Sequence, residues 1–146
     1  MKPILKVIYY AEQPKKPMII RHPEILLTKT KIELNKEFQK TFFKEDHDSV
    51  DYSIKILQDE RNKSDFYLVI LTKPTSDAYK VNFKKNSVWF GNKGLVNYMK
   101  MSTNFNDDMI KFRVSEFSDT EVGDKDNNIY PIITKVNLFK AKPRKS

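Results

Sequence analysis

Lys80, Lys84, Lys85, Lys93 and Lys100 are interleaved with Tyr79, Phe83, Trp89, Phe90 and Tyr98 within residues 79–100. Lysines on a hairpin can meet phosphates while an exposed aromatic ring stacks on a base, and those are the two physical demands of nucleic-acid contact. The plainer alternative is a half-buried hairpin, with the aromatics in the core and the lysines on the solvent side.

The remaining chemistry-bearing groups are sparse. His22 and His47 are the two histidines, and neither has a second histidine at a metal-sharing spacing. His47 stands among Glu45, Asp46, Asp48 and Asp51, a set that could recruit a divalent cation but matches neither an EF-hand loop nor a facial triad, so it reads as an acidic loop. Asp107 and Asp108 could hold Mg²⁺ for phosphoryl chemistry, but such pairs also form ordinary turns, and the turn is the preferred reading. With three glycines, neither a P-loop nor a dinucleotide-binding turn can be assembled, because each needs glycines in register beside a phosphate. There is no Gly-x-Ser-x-Gly elbow. The absence of cysteine excludes disulfides, thiolate zinc sites and a cysteine nucleophile. No catalytic residue, metal ligand or cofactor is therefore assigned.

Charge gives the chemistry its direction. The formal net charge is +8, and it is laid out in blocks. Lys and Arg against Asp and Glu give +6 over residues 1–44, −4 over 45–66, +5 over 67–100, −4 over 101–128 and +5 over 129–146. Basic blocks that converge on one face would attract a polyanion, whereas scattered ones merely solvate the surface.

The elements that must position these groups follow from periodicity. Ile4 to Tyr10 is β-branched and aromatic and reads as a strand, ended by the loop through Pro14 and Pro17. Met18 to Ile20 makes a short second strand before Arg21, His22 and Pro23. Ile32 and Leu34 alternate as in a strand, while Leu34, Phe38 and Phe42 keep helical spacing. The expectation is a short strand leading into a helix from about Asn35, with Asn35 as N-cap and Glu37 in the first turn. Val50, Tyr52, Ile54 and Ile56 alternate as a half-buried strand, Asp59 to Asp65 is a charged turn, and Phe66 to Leu71 is a continuous apolar run suited to a central strand ended by Pro74. Tyr79, Val81 and Phe83 alternate, Lys84 to Ser87 supplies a turn, and Val88 and Phe90 alternate again. Gly91 and Asn92 break that strand, Leu95, Val96 and Met99 form a helical stripe capped by Asn92, Met109 to Phe117 is a strand, and Ile129 to Phe139 is the last one.

The sum is one α+β domain over residues 1–139, a mainly antiparallel sheet of about six to seven strands with one or two short helices, followed by a basic, flexible tail at 140–146. The N-terminal stretch holds no apolar run long enough for a signal peptide or a membrane span, which together with the lack of cysteine suggests a cytoplasmic protein with no membrane contact.

The run from Tyr79 through Phe90, the helix Lys93 to Met101 and the acidic turn Asp107–Asp108 before the next strand resemble the AbrB/MazE-type swapped-hairpin DNA-binding family. The resemblance covers about residues 79–117, with Asn86 and Ser87 as its most specific residues. Where that family has Gly before the Asn and Ile-Pro before the helix, this chain has Lys85 and Gly91-Asn92. The resemblance implies a dimeric regulator, with Lys84, Lys85, Asn86 and Arg113 as DNA contacts.

The leading expectation is a non-enzymatic nucleic-acid-binding or regulatory protein, DNA favoured over RNA, acting through Lys80, Lys84, Lys85, Asn86, Trp89, Lys93, Lys100 and Arg113. A protein-binding module or inhibitor, of mobile-element type and working through a sheet edge or an aromatic patch, is the alternative. An enzyme acting on a phosphorylated or acidic substrate is the third.

Overall fold

The computed structural model describes residues 3–8, 21–43, 50–118 and 128–139. Within them lie β1 (Glu24–Leu27), β2 (Ile32–Leu34), α1 (Lys36–Phe42), β3 (Ser53–Gln58), β4 (Phe66–Leu71), β5 (Tyr79–Lys80), β6 (Asn82–Phe83), β7 (Val88–Phe90), α2 (Lys93–Thr103), β8 (Ile110–Val114) and β9 (Ile129–Ile133). The chain is α+β, and its strands form one antiparallel sheet in the order β5-β3-β4-β9-β8-β1-β2-β7-β6.

The two outermost strands of that order are the halves of a single extended segment. Val81 alone separates β5 from β6, and its amide donates to the Tyr52 carbonyl at 3.0 Å. β5 pairs with β3 while β6 pairs with β7, so the sheet curls round until its ends meet in one stretch of chain. The result is a nearly closed barrel, which leaves hardly any free sheet edge.

Alternation along each strand fills the interior. Ile25 faces Leu34 and Phe112, Leu27 faces Ile32 and Ile110, Ile32 faces Phe90, and Val114 faces Ile132. Ile25, Leu27, Ile32, Phe90, Ile110, Phe112 and Val114 are all fully buried. α1 closes against this core through Phe38, with Phe42 edge-on to Tyr130 and Phe43 packed on Tyr52 and Phe83. α2 buries Val96 and Met99 and points Tyr98 at Gln58, whose side-chain oxygen accepts the Tyr98 hydroxyl at 2.6 Å. On the outside, Lys55 lies 2.9 Å from Asp77 and, with the Thr75 hydroxyl, holds the exposed Asp77 carboxyl below its ordinary pKa.

Both helix starts fall where the sequence places them. Asn92 caps α2 by accepting from Leu95 N at 2.9 Å. Asn35 does more: its Oδ1 accepts from Phe38 N (2.9 Å) and Glu24 N (3.0 Å), while its Nδ2 donates to the His22 carbonyl (2.9 Å) and to Glu24 Oε1 (3.3 Å). One side chain thus caps α1 and ties it to the start of β1. Asn35→Ala is expected to cost about 2 kcal/mol or more, against about 1 kcal/mol for Asn92→Ala, because it leaves two extra backbone groups unpaired. Urea denaturation of the two variants side by side measures the difference, and equal losses would show that the ties to β1 contribute nothing.

Several expectations are corrected. Nine strands replace the expected six to seven, partly because residues 79–83 split at Val81 to serve two neighbours. β1 was hidden by the proline before it, and it exists because β2 and β8 flank it on both sides. The strand expected from Ile4 is not formed: residues 3–8 belong to no strand, and Ile4, Leu5, Val7 and Ile8 are 99%, 87%, 90% and 61% exposed. High β-propensity makes no strand without a ladder neighbour. The rest of that segment, the expected strand at Met18–Ile20, the acidic stretch around His47 and the tail 140–146 lie outside the described residues.

β8 stops at Val114 rather than Phe117, because the Ser115 hydroxyl accepts from Phe117 N and turns the chain. β9 stops at Ile133, after which Asn137 Oδ1 takes up Lys111 N and Phe139 N. β4 is internal, but Tyr67, Ile70 and Leu71 are only half-buried, so it is not covered on both faces along its length.

Candidate functional site

The β6–β7 hairpin turns tightly, with Lys84 N donating to the Ser87 carbonyl at 2.9 Å and Ser87 N to the Lys84 carbonyl at 3.3 Å. Lys85 and Asn86 therefore project at its tip. β7 runs antiparallel to β2, and β2 antiparallel to β1, so the start of β7 lies beside the end of β2 and the start of β1. This pairing sets Lys84 to Val88 against Arg21, His22 and Glu24 and against the first residues of α1.

Between these three segments is an open cleft of about 710 Å³. Arg21, Lys36, Lys84 and Lys85 stand exposed around it, and among the described residues none of them has an ion-pair partner. Glu24 and Glu37 also line it: Glu37 lies 3.9 Å from Lys40, while Glu24 accepts only from the neutral Asn35 amide and keeps its charge, which the four cations outnumber. The net charge is positive. A smaller recess of about 230 Å³ shares Asn35, Asn86 and Ser87 with the cleft and extends it toward Leu26, Glu33 and Lys111.

Lys84, Lys85 and Asn86 thus stand together in the cleft. Trp89 lies on β7, turned outward between the buried Val88 and Phe90, while Lys80 is exposed on β5, paired to β3 beyond Val81 and away from the turn. Arg113 is exposed on β8 as the register partner of Glu24, one strand from the cleft. Lys93 and Lys100 are not brought to this face, because α2 leaves β7 at the end away from the turn. Lys100 Nζ donates to the Asp108 carbonyl at 3.0 Å and borders a separate recess with Asn97, Met101 and Asn104.

The aromatics also divide. Tyr79, Phe83 and Phe90 pack on the core, as a half-buried hairpin requires, whereas Tyr98 on α2 is 42% exposed and Trp89 faces outward half-buried, with Lys31 Nζ 5.1 Å from its centroid. Sequence reasoning missed Arg21, Lys31, Lys36 and Lys111. For Arg21, Lys31 and Lys36 the signal was the first basic block, which could be placed only once β1, β2 and β7 were known to be neighbours, while Lys111 lies in an acidic stretch that gave no signal.

Asp107 and Asp108 serve a turn, where Asn137 Nδ2 donates to Asp107 Oδ2 at 3.2 Å and Lys100 holds the Asp108 carbonyl. Among the described residues no group of three or more His, Asp or Glu stands close enough to share a metal ion, and no helix is long and apolar enough to cross a membrane. The chain matches no protein-family model, no curated protein and no solved structure.

Proposed function

We propose that this chain is a non-enzymatic nucleic-acid-binding protein, with DNA the favoured partner, whose basic cleft holds the phosphate backbone. One observation carries the reading. Arg21 and Lys36 from the first basic block converge with Lys84 and Lys85 from the second on one open cleft, without carboxylate partners among the described residues. Unpaired cations around a concavity bind a polyanion by releasing its condensed counterions.

The test is a salt titration. Affinity for a labelled oligonucleotide should fall linearly on logarithmic axes as salt rises, with a slope of about −3 to −4 if all four cations each meet a phosphate. No binding at low salt, or binding indifferent to salt, would refute the proposal.

The exposed run Ile4 to Ile8 favours a second reading, a protein-binding module. In the barrel the route through a sheet edge has little to offer, so the apolar segment is the better contact. A stably captured protein in the absence of any salt-dependent nucleic-acid affinity would decide for this second reading.

A further inference from the structure

We propose that the outer face of the β6–β7 hairpin is a stacking platform for a single-stranded nucleic acid, with a base laid on Trp89 and its neighbouring phosphate held at the turn. This deepens the reading of the cleft as a phosphate site and rests on it.

Strand alternation sends Val88 and Phe90 into the core and the indole of Trp89 to the surface, where it is half-buried. A large ring kept at the surface of an otherwise polar face is a feature to be explained. The cation of Lys31 lies 5.1 Å from its centroid, so one ring face is covered by a flexible side chain that a competing partner can displace. A base stacking on this face displaces that ammonium.

The register around Trp89 defines a direction for the strand. Asn82 is its partner on β6 and Glu33 its partner on β2, with Leu26 and Lys111 continuing the row across β1 and β8. On the β2 side the Glu33 carboxylate offsets the charge of Lys31 and Lys111. On the other side the segment 79–85 presents Lys80, Lys84 and Lys85, all exposed. The backbone therefore follows the lysine edge, and the bases lean over Trp89 toward Asn82 and Glu33, whose amide and carboxylate can bond a base edge. Lys84 is two residues from Asn82, about 7 Å along the strand, so the held phosphate and the stacked base belong to adjacent nucleotides.

Duplex bases are stacked on one another and cannot offer a face to an indole, whereas single strands can. The platform therefore selects unpaired nucleic acid. The cleft alone does not.

Trp89 is the sole tryptophan, which makes its emission a direct report on the platform. The full chain is titrated with a 20-nucleotide single-stranded DNA, the RNA of the same sequence, and the corresponding blunt DNA duplex at fixed salt. Both single strands should quench the emission and bind about tenfold or more tighter than the duplex; the tighter of the two identifies the sugar the site accepts. Trp89→Ala should weaken single-strand binding by about tenfold, and Trp89→Phe by much less, with duplex binding unchanged in both. Far-UV circular dichroism checks that each variant is folded, and the quenching of the unsubstituted chain stands whether or not they are. Single-strand binding without quenching, a preference for duplex, or equal weakening of both by Trp89→Ala would overturn the platform while leaving the cleft reading intact. Absence of binding to all three probes would remove both.

Discussion

Phe112→Ala is expected to destabilise the chain by about 3–5 kcal/mol, as truncation of a fully buried phenylalanine does. Phe112 is fully buried in β8, directly opposite Ile25, and its ring centroid lies 5.7 Å from that of Phe105. Truncation removes the packing of the ring and leaves a cavity that the surrounding strands cannot close, because they are bonded to neighbours on both sides. Set against a total stability of about 5–15 kcal/mol, this loss would leave a marginal fold. Urea denaturation gives the number. Phe112→Leu should lose less than half as much, and Ile133→Ala, at a 42% exposed residue on β9, about 1 kcal/mol or less. A loss below about 1 kcal/mol for Phe112→Ala would mean that the barrel interior is not packed as described.

That packed interior is also what positions the cleft. The walls of the cleft come from the lead into β1, the start of α1 and the β6–β7 turn, which are far apart in the chain. None of these short pieces could hold its position alone. The pairing of β1 with β2 and of β2 with β7 fixes them, and Asn35 locks the first two together through both ends of its amide. Scaffold and site are therefore coupled: a variant that loosens the barrel should also weaken ligand binding, through the fraction of molecules unfolded.

Local chemistry was legible in the sequence where it is set by the nearest residues. Asn35 and Asn92 announced both helix starts because a cap acts on amides three residues ahead. Phe66 to Leu71 read as a strand from its own run of side chains, and Gly91 marked the break before α2. There φ is +86°, and a Cβ would stand 3.1 Å from Leu95 Cδ2. What the sequence could not show is which neighbours each strand would find. Ile4 to Ile8 has strand composition and no strand partner among the described residues, Glu24–Leu27 has weaker composition and two partners, and only the pairing separates them. The same limit applies to the site. Lys84, Lys85 and Asn86 were visible as a basic turn, but their meeting with Arg21 and Lys36 depends on strand order, and so does the separation of Lys93 and Lys100 from them.

Reversing the charge at the turn should separate location from mere basicity. Lys84→Glu combined with Lys85→Glu is expected to lower nucleic-acid affinity by about 100-fold at moderate salt, at roughly 1–2 kcal/mol per reversed lysine facing a phosphate through a solvent-rich cleft. The salt slope should fall by about 2, one for each phosphate no longer neutralised. Lys93→Glu combined with Lys100→Glu changes the net charge by the same amount on α2, away from the cleft, and should weaken binding by less than about fivefold, through the long-range field alone. Lys84, Lys85 and Lys93 are exposed and make no ion pair among the described residues, whereas Lys100 is half-buried and bonds the Asp108 carbonyl, so a denaturation curve for each double variant separates any loss of fold from loss of binding. Equal losses from the two pairs would mean that overall charge, and not the cleft, holds the ligand. An unequal loss in the expected order assigns the phosphate-binding lysines to the face where the two basic blocks meet.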